Sequence, residues 1–326
     1  MDSLTQLALG TCVSSACVAK KDKRVAAITG AVLGTLPDLD IIIRYADPVD
    51  NFVKHRGFSH SIFFLFLLSL VLWIVAKQFS PRVKKSPIRW FLAIMLTLLT
   101  HTILDAHTVY GTQLFWPMDT PPVMWSTLFI IDPFYSVPLL LGVIIVLCAP
   151  HWKHIQTSLN LALVVSTVYL GWSWVGKTIV DNKLQSQLES EGHRDIKYFS
   201  VPTPFNTLLW RVVVMEPDGY REGFYSLLKP EETIEFEDIA NEPKAVAIAP
   251  EFISYEKLHW FSHGFLKTEI LENELIVSDL RMGVEPEYVF RFIIAENYEQ
   301  NWQAVVPQRI GIRYDWNRLK EIYQKL

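Results

Sequence analysis

Long apolar runs fill the first half of the chain and are absent from the second half. Four of them are long enough, or nearly so, to cross a bilayer as helices: Ser59–Phe79, Ile88–Leu104, Pro133–Ala149 and Ile155–Val175. Two weaker runs, Leu4–Ala19 and Val25–Leu36, precede them and are rich in Gly, Ala, Ser and Thr. Small residues let helices pack closely, and Gly30 and Gly34 have GxxxG spacing. We therefore expect these two runs to form short inner helices.

The pattern changes after residue 176. A polar, helical connector is predicted at 177–200, and short apolar or alternating segments follow it. The predicted strands are Thr207–Met215, Tyr220–Leu228, Val246–Ala249, Leu275–Asp279 and Val284–Ala295. Glu216–Gly219 is a turn signal, and Trp316–Leu326 is predicted to be a closing helix. The fold prediction is an all-α polytopic membrane domain of about six helices (1–176), followed by an α+β or mostly β extracytoplasmic domain (201–326).

Composition and charge support this division. Half of the 326 residues are hydrophobic and 20% are charged, against about a quarter charged in soluble domains. Residues 1–176 contain 13 Lys/Arg, 9 Asp and no Glu, whereas residues 177–326 contain 17 Lys/Arg and 25 Asp/Glu. This composition excludes a disordered chain, and three cysteines in apolar runs exclude a disulfide scaffold. The net charge of −4 without a basic patch indicates no nucleic-acid partner.

The basic residues predict the orientation in the membrane. Ten of the 13 Lys/Arg in the first part lie in Lys20–Arg24, in Lys77–Arg89 and at Lys153, and eight of its nine Asp lie in the connections on the opposite side. Because positive loops stay in the cytoplasm, we expect the N-terminus and the C-terminal domain to lie outside it. The first run begins with Asp2 and has no basic flank, so we expect it not to be a cleaved signal peptide.

The outer loops and helix ends carry the candidate chemistry. The candidates are Asp38, Asp40, His55, His60, His101, Asp105 and, most weakly, His107. Ionisable groups near membrane segments are costly and therefore typical of functional sites. His101 and Asp105 are i and i+4 on one helical face. Imidazole and carboxylate without thiolate are the ligands of catalytic zinc, manganese or iron, and Arg56 is suited to an anionic oxygen. The alternative is that each is an ordinary interfacial anchor or helix terminator.

Several motifs together resemble a known family. The motifs are Met1–Gln6, Gly34–Asp40, His55–Ser61, Leu99–His101 with Leu104-Asp105, Tyr110–Gln113 and Ile131–Tyr135. Over about residues 1–140 the chain resembles the bacterial membrane-bound metal-dependent hydrolase family, the YdjM/YbcI-like group, which is a distant relative of zinc-dependent phospholipase C.

The resemblance implies a location in the bacterial inner membrane and a divalent metal, most simply zinc. It also implies a site built from Asp38, His55, His60, His101 and Asp105, with Asp40 as a further ligand. Many relatives have His where this chain has Gln6. Gln is a poor zinc ligand, so a metal position held from the first helix is in doubt here, and Asp2 is the residue placed to compensate.

Two functions are compatible with these residues. The first is a metal-dependent hydrolase acting on a phosphodiester or ester bond of a lipid or lipid-linked substrate at the outer face of the bilayer, with Asp38 or Asp105 as general base. Arg56 would contact the anionic group of that substrate. The second is a non-catalytic metal-binding membrane protein or metal-ion transporter. The position of the polar residues at one interface and the lack of an internal repeat count against transport.

Overall fold

The apolar runs form helices at the predicted places. The computed structural model describes residues 1–193, 195–299, 301–311 and 316–326, and within them eight α-helices precede the first strand. These helices are α1 (Ser3–Cys17), α2 (Lys23–Thr35), α3 (Pro48–Lys54), α4 (Ile62–Phe79), α5 (Pro81–Lys85), α6 (Pro87–Ala106), α7 (Pro133–Cys148) and α8 (Ile155–Ser190).

The chain divides into two units. The first consists of Met1–Ile42, Arg56–Trp174 and Pro204–Asn206, and the second of Ile43–His55, Val175–Thr203 and Thr207–Leu326. The boundary after Trp174 lies two residues from the predicted one. The predicted connector instead begins as a continuation of α8, whose Val180, Leu184 and Leu188 join Trp210 in the core of the second unit.

Local sequence explains where several helices of the first unit begin. The side chains of Asp2 and Asp132 accept hydrogen bonds from backbone N–H groups in the first turns of α1 and α7. Ser61 does the same for α4. Proline occupies the first turn of α6 and α7, where its missing N–H costs nothing.

Glycines allow α1 and α2 to cross at very short range. A Cβ atom on Gly30 would lie 2.1 Å from the carbonyl oxygen of Gly10, and one on Gly34 would lie 2.6 Å from the carbonyl oxygen of Gln6. Both distances are shorter than real Cβ contacts, so any larger residue would push the helices apart. The prediction of close packing through small residues is confirmed.

The count of membrane spans is smaller than predicted. Within the described residues, three helices are long and apolar enough to cross a membrane, namely α4, α6 and α8, while α7 is apolar but has 16 residues. With 15 and 13 residues, α1 and α2 reach only about 20 Å at a rise of about 1.5 Å per residue, against a hydrocarbon core of about 30 Å. All six predicted segments are helical, but the expectation of about six spans is not supported.

The second unit is rich in β-sheet. Its strands are β1 (Tyr198–Pro202), β2 (Leu209–Glu216), β3 (Gly219–Ser226), β4 (Glu235–Ala240), β5 (Leu266–Leu271), β6 (Glu274–Asp279), β7 (Gly283–Val284), β8 (Glu287–Tyr288), β9 (Arg291–Tyr298) and β10 (Asn301–Arg309). They form antiparallel sheets in the orders β1-β2-β3-β4 and β10-β9-β6-β5, with β7 and β8 as a separate pair. The helices α9 (Pro243–Ile248), α10 (Ile253–Phe261) and α11 (Trp316–Gln324) complete an α+β unit.

Two strand predictions in this unit are wrong. Val246–Ala249 is not a strand, because Val246 to Ile248 end α9 and a short 3-10 turn follows. Pro243 in the first turn and the neighbouring alanines favour a helix there. The single strand predicted at Val284–Ala295 is divided among β7, β8 and β9. Periodicity alone does not separate helix from strand in such short apolar runs.

Candidate metal centre

Four of the predicted ligands meet at one end of the first unit. Asp38 lies in the 3-10 turn Pro37–Ile42 that follows α2, and His60 ends the 3-10 turn Phe58–His60 just before α4. His101 and Asp105 lie one turn apart near the end of α6, on one face of that helix. Three helix ends therefore bring together what we call the His/Asp cluster: Asp38, His60, His101 and Asp105.

The ligand atoms of the His/Asp cluster all lie within 4.8 Å of one another. The His60 Nε2 atom is 3.4 Å from Asp38 Oδ1 and 3.2 Å from Asp105 Oδ2. The His101 Nε2 atom is 3.5 Å and 3.4 Å from the same two oxygens, and the two Nε2 atoms are 3.2 Å apart. Ligand atoms bound tetrahedrally to zinc at about 2.0–2.1 Å are roughly 3.3 Å from one another. The five separations given above, 3.2–3.5 Å, match that spacing.

The carbonyl of Gly34 determines which ring nitrogen of His101 carries the hydrogen. It lies 2.7 Å from the His101 Nδ1 atom. A carbonyl oxygen only accepts, so Nδ1 carries the hydrogen, and the neutral ring presents the lone pair of Nε2 to the cluster. Such a second hydrogen bond, which sets the tautomer of the ring, is the usual companion of a metal-binding histidine.

A second chain of hydrogen bonds determines the tautomer of His60. Its Nδ1 atom is 2.9 Å from the hydroxyl oxygen of Ser59, which is 2.7 Å from Asp40 Oδ2. The carboxylate accepts the hydroxyl hydrogen of Ser59, so the Ser59 oxygen accepts from Nδ1–H of His60. The lone pair of His60 Nε2 therefore also points into the cluster.

Asp105 is held by several partners. Its Oδ1 atom accepts a hydrogen bond of 2.9 Å from the Gln6 side-chain amide and forms an ion pair with the α-amino group of Met1. Its Oδ2 atom is 3.2 Å from the Arg56 Nε atom. Although Oδ2 is buried, it has no partner with hydrogen-bond geometry among the described residues. An orphaned carboxylate oxygen that faces two imidazole nitrogens fits a ligand position.

The donor set as a whole fits a divalent cation. Two imidazole lone pairs and two carboxylate oxygens converge, and they would repel one another unless a cation or a proton lay among them. Nitrogen and oxygen donors without sulfur suit zinc, manganese or iron. The His/Asp cluster can therefore hold one such ion.

The cluster opens toward solvent at Asp38. The side chain of Asp38 is 20% exposed, whereas His60, His101 and Asp105 are fully or almost fully buried. Burial raises the pKa of the Asp38 carboxyl, but the neighbouring His101 and His60 side chains outweigh burial and hold that pKa well below its ordinary value. Asp38 is therefore a carboxylate at neutral pH and lies on the accessible side of the cluster.

Arg56 borders the cluster from a strained turn. Its backbone φ is +58°, and its side chain is buried. Besides the contact with Asp105, its Nη1 atom donates a 3.0 Å hydrogen bond to Thr108 Oγ1, and its guanidinium lies 5.1 Å from the centre of the Tyr110 ring. The guanidinium therefore brings positive charge to the edge of the His/Asp cluster.

Other predicted candidates lie outside the His/Asp cluster. Asp40 lies behind His60, as described, and His55 follows α3 and belongs to the second unit. His107 donates from Nδ1 to the Ile103 carbonyl and accepts from the Trp174 indole at Nε2, and burial lowers its pKa. His107 is therefore a neutral packing residue. Asp2 caps α1 instead of substituting for a ligand.

The supporting residues were harder to predict than the ligands. Gln6 is a hydrogen-bond partner of Asp105 and of the His101 carbonyl, and not a ligand position. Ser59 was missed, although its place next to His60 was a usable signal. Nothing in the sequence indicates that the Gly34 carbonyl meets His101, because that contact depends on how α2 packs against α6.

Fold and site together describe a membrane protein with a possible His/Asp metal site at one end of its helical unit. The chain belongs to the YdjM inner membrane protein family, whose family model matches residues 1–180.

Two curated relatives are similar to the chain. "Inner membrane protein YbcI" of Escherichia coli (strain K12) is 31% identical over 88 residues, which cover 27% of this chain and 49% of that protein. "Uncharacterized protein YfhP" of Bacillus subtilis (strain 168) is 22% identical over 187 residues, or 57% of this chain and 54% of that protein. The chain thus spans about half the length of these relatives. No solved structure matches the chain.

Proposed function

We propose that this protein is a multi-pass inner-membrane hydrolase that depends on a divalent metal, most simply zinc. The convergence of Asp38, His60, His101 and Asp105, whose ligand atoms lie within 4.8 Å of one another, is the observation that carries the proposal. The three buried members would hold the ion, and Asp38 would lie at its accessible side. Catalytic zinc sites use few protein ligands of this kind and keep one side accessible, which is the side of Asp38 here.

Each residue at the site has a role in the proposed reaction. The chemistry that the ion supplies when bound is Lewis acidity and a lowered pKa of water. Asp38, the exposed carboxylate, takes a proton from the attacking water as general base. Asp105 is assigned to ion binding instead, since its Oδ1 atom is already held by Gln6 while its buried Oδ2 atom faces the two histidines. The positive charge of Arg56 attracts an anionic substrate group and stabilises it in the reaction.

The surroundings of Asp38 support a lipid or lipid-linked substrate. Leu39, Ile41 and Ile42 follow Asp38 in the same 3-10 turn and are all more than half exposed. His101 lies five residues before the end of α6, which is about 7 Å below that helix end. A site at this depth with an apolar rim suits a bond near the headgroup of a lipid. With Arg56 beside it, a phosphodiester or another ester is the bond we propose, as in phospholipase C-like chemistry.

The orientation follows from the charges. Lys20–Arg24 and Lys77–Arg89 connect the helix ends remote from the His/Asp cluster, and exposed Trp116, Trp172 and Trp174 occur in the part of the chain assigned to the outer interface. Basic residues mark the cytoplasmic side and tryptophans the interfaces. We place the cluster at the outer face of the membrane and the C-terminal unit outside the cytoplasm.

Metal analysis of the detergent-purified protein tests the metal site. We expect at least one equivalent of bound metal in the wild type, and its loss in His60→Ala and His101→Ala. His154→Ala is the control, because His154 is exposed and lies in the short connection between α7 and α8. If the wild type holds no metal, or if His60→Ala keeps it, the metal site is wrong.

A liposome assay tests hydrolysis separately. The purified protein is incorporated into liposomes with headgroup-labelled phospholipids, and soluble phosphodiesters are assayed in parallel. We expect metal-dependent release of headgroup, and a loss of turnover of about 10²–10⁴-fold in Asp38→Asn. If metal is bound but neither phosphodiester nor ester is cleaved, and the proteoliposomes accumulate metal ions, the protein is a transporter instead.

A further inference from the structure

Asp40 lies next to the His/Asp cluster without being part of it, and its carboxylate accepts hydrogen bonds from residues around the cluster. Its side chain is almost fully buried. A single oxygen, Oδ2, accepts two hydrogen bonds, one of 2.7 Å from the Ser59 hydroxyl and one of 2.9 Å from the backbone N–H of Arg56. The same oxygen is 3.6 Å from the Nδ1 atom of His60. These contacts lead to two residues of the site, His60 and Arg56.

The contact through Ser59 controls which nitrogen of His60 carries the proton. Because a carboxylate only accepts, the Ser59 hydroxyl hydrogen points to Asp40. The Ser59 oxygen can then accept a hydrogen bond from Nδ1–H of His60. Without Asp40, the Ser59 hydroxyl could donate to Nδ1 instead. The hydrogen would then sit on Nε2 and point at Asp38 and Asp105, where it would block metal binding.

The hydrogen bond from the Arg56 N–H to Asp40 stabilises the turn that positions Arg56 and His60 at the site. Arg56 has a left-handed backbone with φ of +58°, which non-glycine residues adopt only when other contacts stabilise it. Asp40 accepts its N–H, and the Gln113 N–H donates to its carbonyl oxygen. This turn sends the Arg56 side chain to Asp105 and starts the short segment that ends at His60.

We propose that Asp40 is a positioning residue of the metal centre: through Ser59 it fixes the tautomer of His60, and through the main chain of Arg56 it fixes the turn that brings Arg56 to Asp105. The inference rests on the proposed metal-dependent function. It replaces the expectation from the resemblance that Asp40 is a metal ligand.

Amide substitution distinguishes a positioning residue from a ligand. The hydrogen bonds from Ser59 and from the Arg56 N–H end on the same oxygen of Asp40, so the single carbonyl oxygen of Asn can accept both. We therefore expect Asp40→Asn to weaken zinc affinity less than about threefold, and Asp40→Ala to weaken it about 10–100-fold, as for other partners of metal-binding histidines. A ligand would behave differently, because its charge is needed: Asp105→Asn should lose affinity as severely as His101→Ala.

Zinc affinity is measured on the full chain in detergent by competition with a chromophoric chelator. Cobalt substitution gives a second readout, since the visible spectrum of the bound cobalt reports the ligand set, and we expect it to be unchanged in Asp40→Asn. Asp47→Ala is the matched control, because Asp47 also accepts a backbone N–H, from Asp50, but belongs to the second unit. Ser59→Ala should weaken affinity about tenfold, and it serves as the test if Asp40→Ala fails to fold.

The outcomes separate this inference from the proposed function. If the wild type binds no zinc, the proposed function fails. If the wild type binds zinc and Asp40→Ala and Ser59→Ala bind it equally well, the inference is overturned while the function stands. If Asp40→Asn loses zinc as completely as Asp105→Asn and the cobalt spectrum changes, Asp40 is a ligand and the inference is also overturned.

Discussion

Gly30→Ala tests whether the crossing of α1 and α2 sustains the metal centre. The new Cβ atom would lie 2.1 Å from the Gly10 carbonyl oxygen and 2.6 Å from the Ser14 Cβ atom, whereas ordinary contact begins at 3.4 Å. The shortfall to the carbonyl is therefore 1.3 Å. Because the obstacle is backbone, no side-chain rotation relieves it, and α2 must move away from α1 by about that distance.

A shift of this size should reach the His/Asp cluster. Gly34 lies one turn further along α2, and its carbonyl accepts the 2.7 Å hydrogen bond from His101. Asp38 follows shortly after the end of α2. Overpacking of this kind costs about 1–3 kcal/mol. Loss of the partner of a metal-binding histidine weakens metal affinity about 10–100-fold. We expect both effects in Gly30→Ala.

Gly171→Ala is the matched control. Gly171 lies in α8, and an added Cβ there would have nothing within 4 Å. Thermal unfolding in detergent gives the stability of each variant, and chelator competition gives its zinc affinity. Gly171→Ala should keep both values, since alanine favours a helix over glycine. If Gly30→Ala unfolds and binds zinc like the wild type, the crossing does not support the site and the reasoning is refuted.

Three further predictions concern charge. Arg56→Lys should keep the bound metal but lower turnover on phosphodiesters at least tenfold, because lysine cannot contact both Thr108 and Asp105 as the guanidinium does; equal turnover would contradict a role for Arg56. Alkaline phosphatase fused after Val175 should be active and within Pro81–Pro87 inactive, and the reverse pattern would refute the orientation. Burial raises the pKa of Asp50, but hydrogen bonds from Lys257 and Lys54 outweigh it and leave that pKa below its ordinary value. Such a group stabilises the fold above the unfolded pKa of about 3.9 and loses this effect as pH falls through the lower folded value. Asp50→Asn should therefore lower the free energy of unfolding by about 1 kcal/mol at pH 7, and the difference from wild type should vanish in acid; a constant difference would contradict the ion pairs.

Sequence patterns predicted the helices and the chemistry of the site well, for a clear physical reason. Long apolar runs have few alternatives to a helix in a membrane, and ionisable groups at their ends are costly unless they serve a purpose. All four members of the His/Asp cluster were among the predicted ligands. The i and i+4 spacing of His101 and Asp105 is by itself enough to place both side chains on one face of a helix.

The errors arose where spacing in sequence does not determine direction in space. His55 and His60 looked like a pair, but the left-handed backbone at Arg56 turns the chain between them. Asp38 and Asp40 lie two residues apart, yet one faces the cluster and the other lies behind His60. These directions depend on one unusual backbone conformation and on contacts between distant residues, which neither periodicity nor composition reports.

The same small residues explain both the weakness of the first two helices as membrane spans and the construction of the site. Glycine lowers the hydropathy of α1 and α2, but it also lets their backbones approach so closely that a Cβ on Gly34 would strike the Gln6 carbonyl. At that crossing, Gln6 reaches Asp105 from α1 and the Gly34 carbonyl reaches His101 from α2. Larger apolar residues would make better spans, but they would hold the two helices apart and leave His101 and Asp105 without these partners. The modest hydrophobicity of the N-terminal runs therefore goes together with the close helix crossing that supplies partners to His101 and Asp105 of α6.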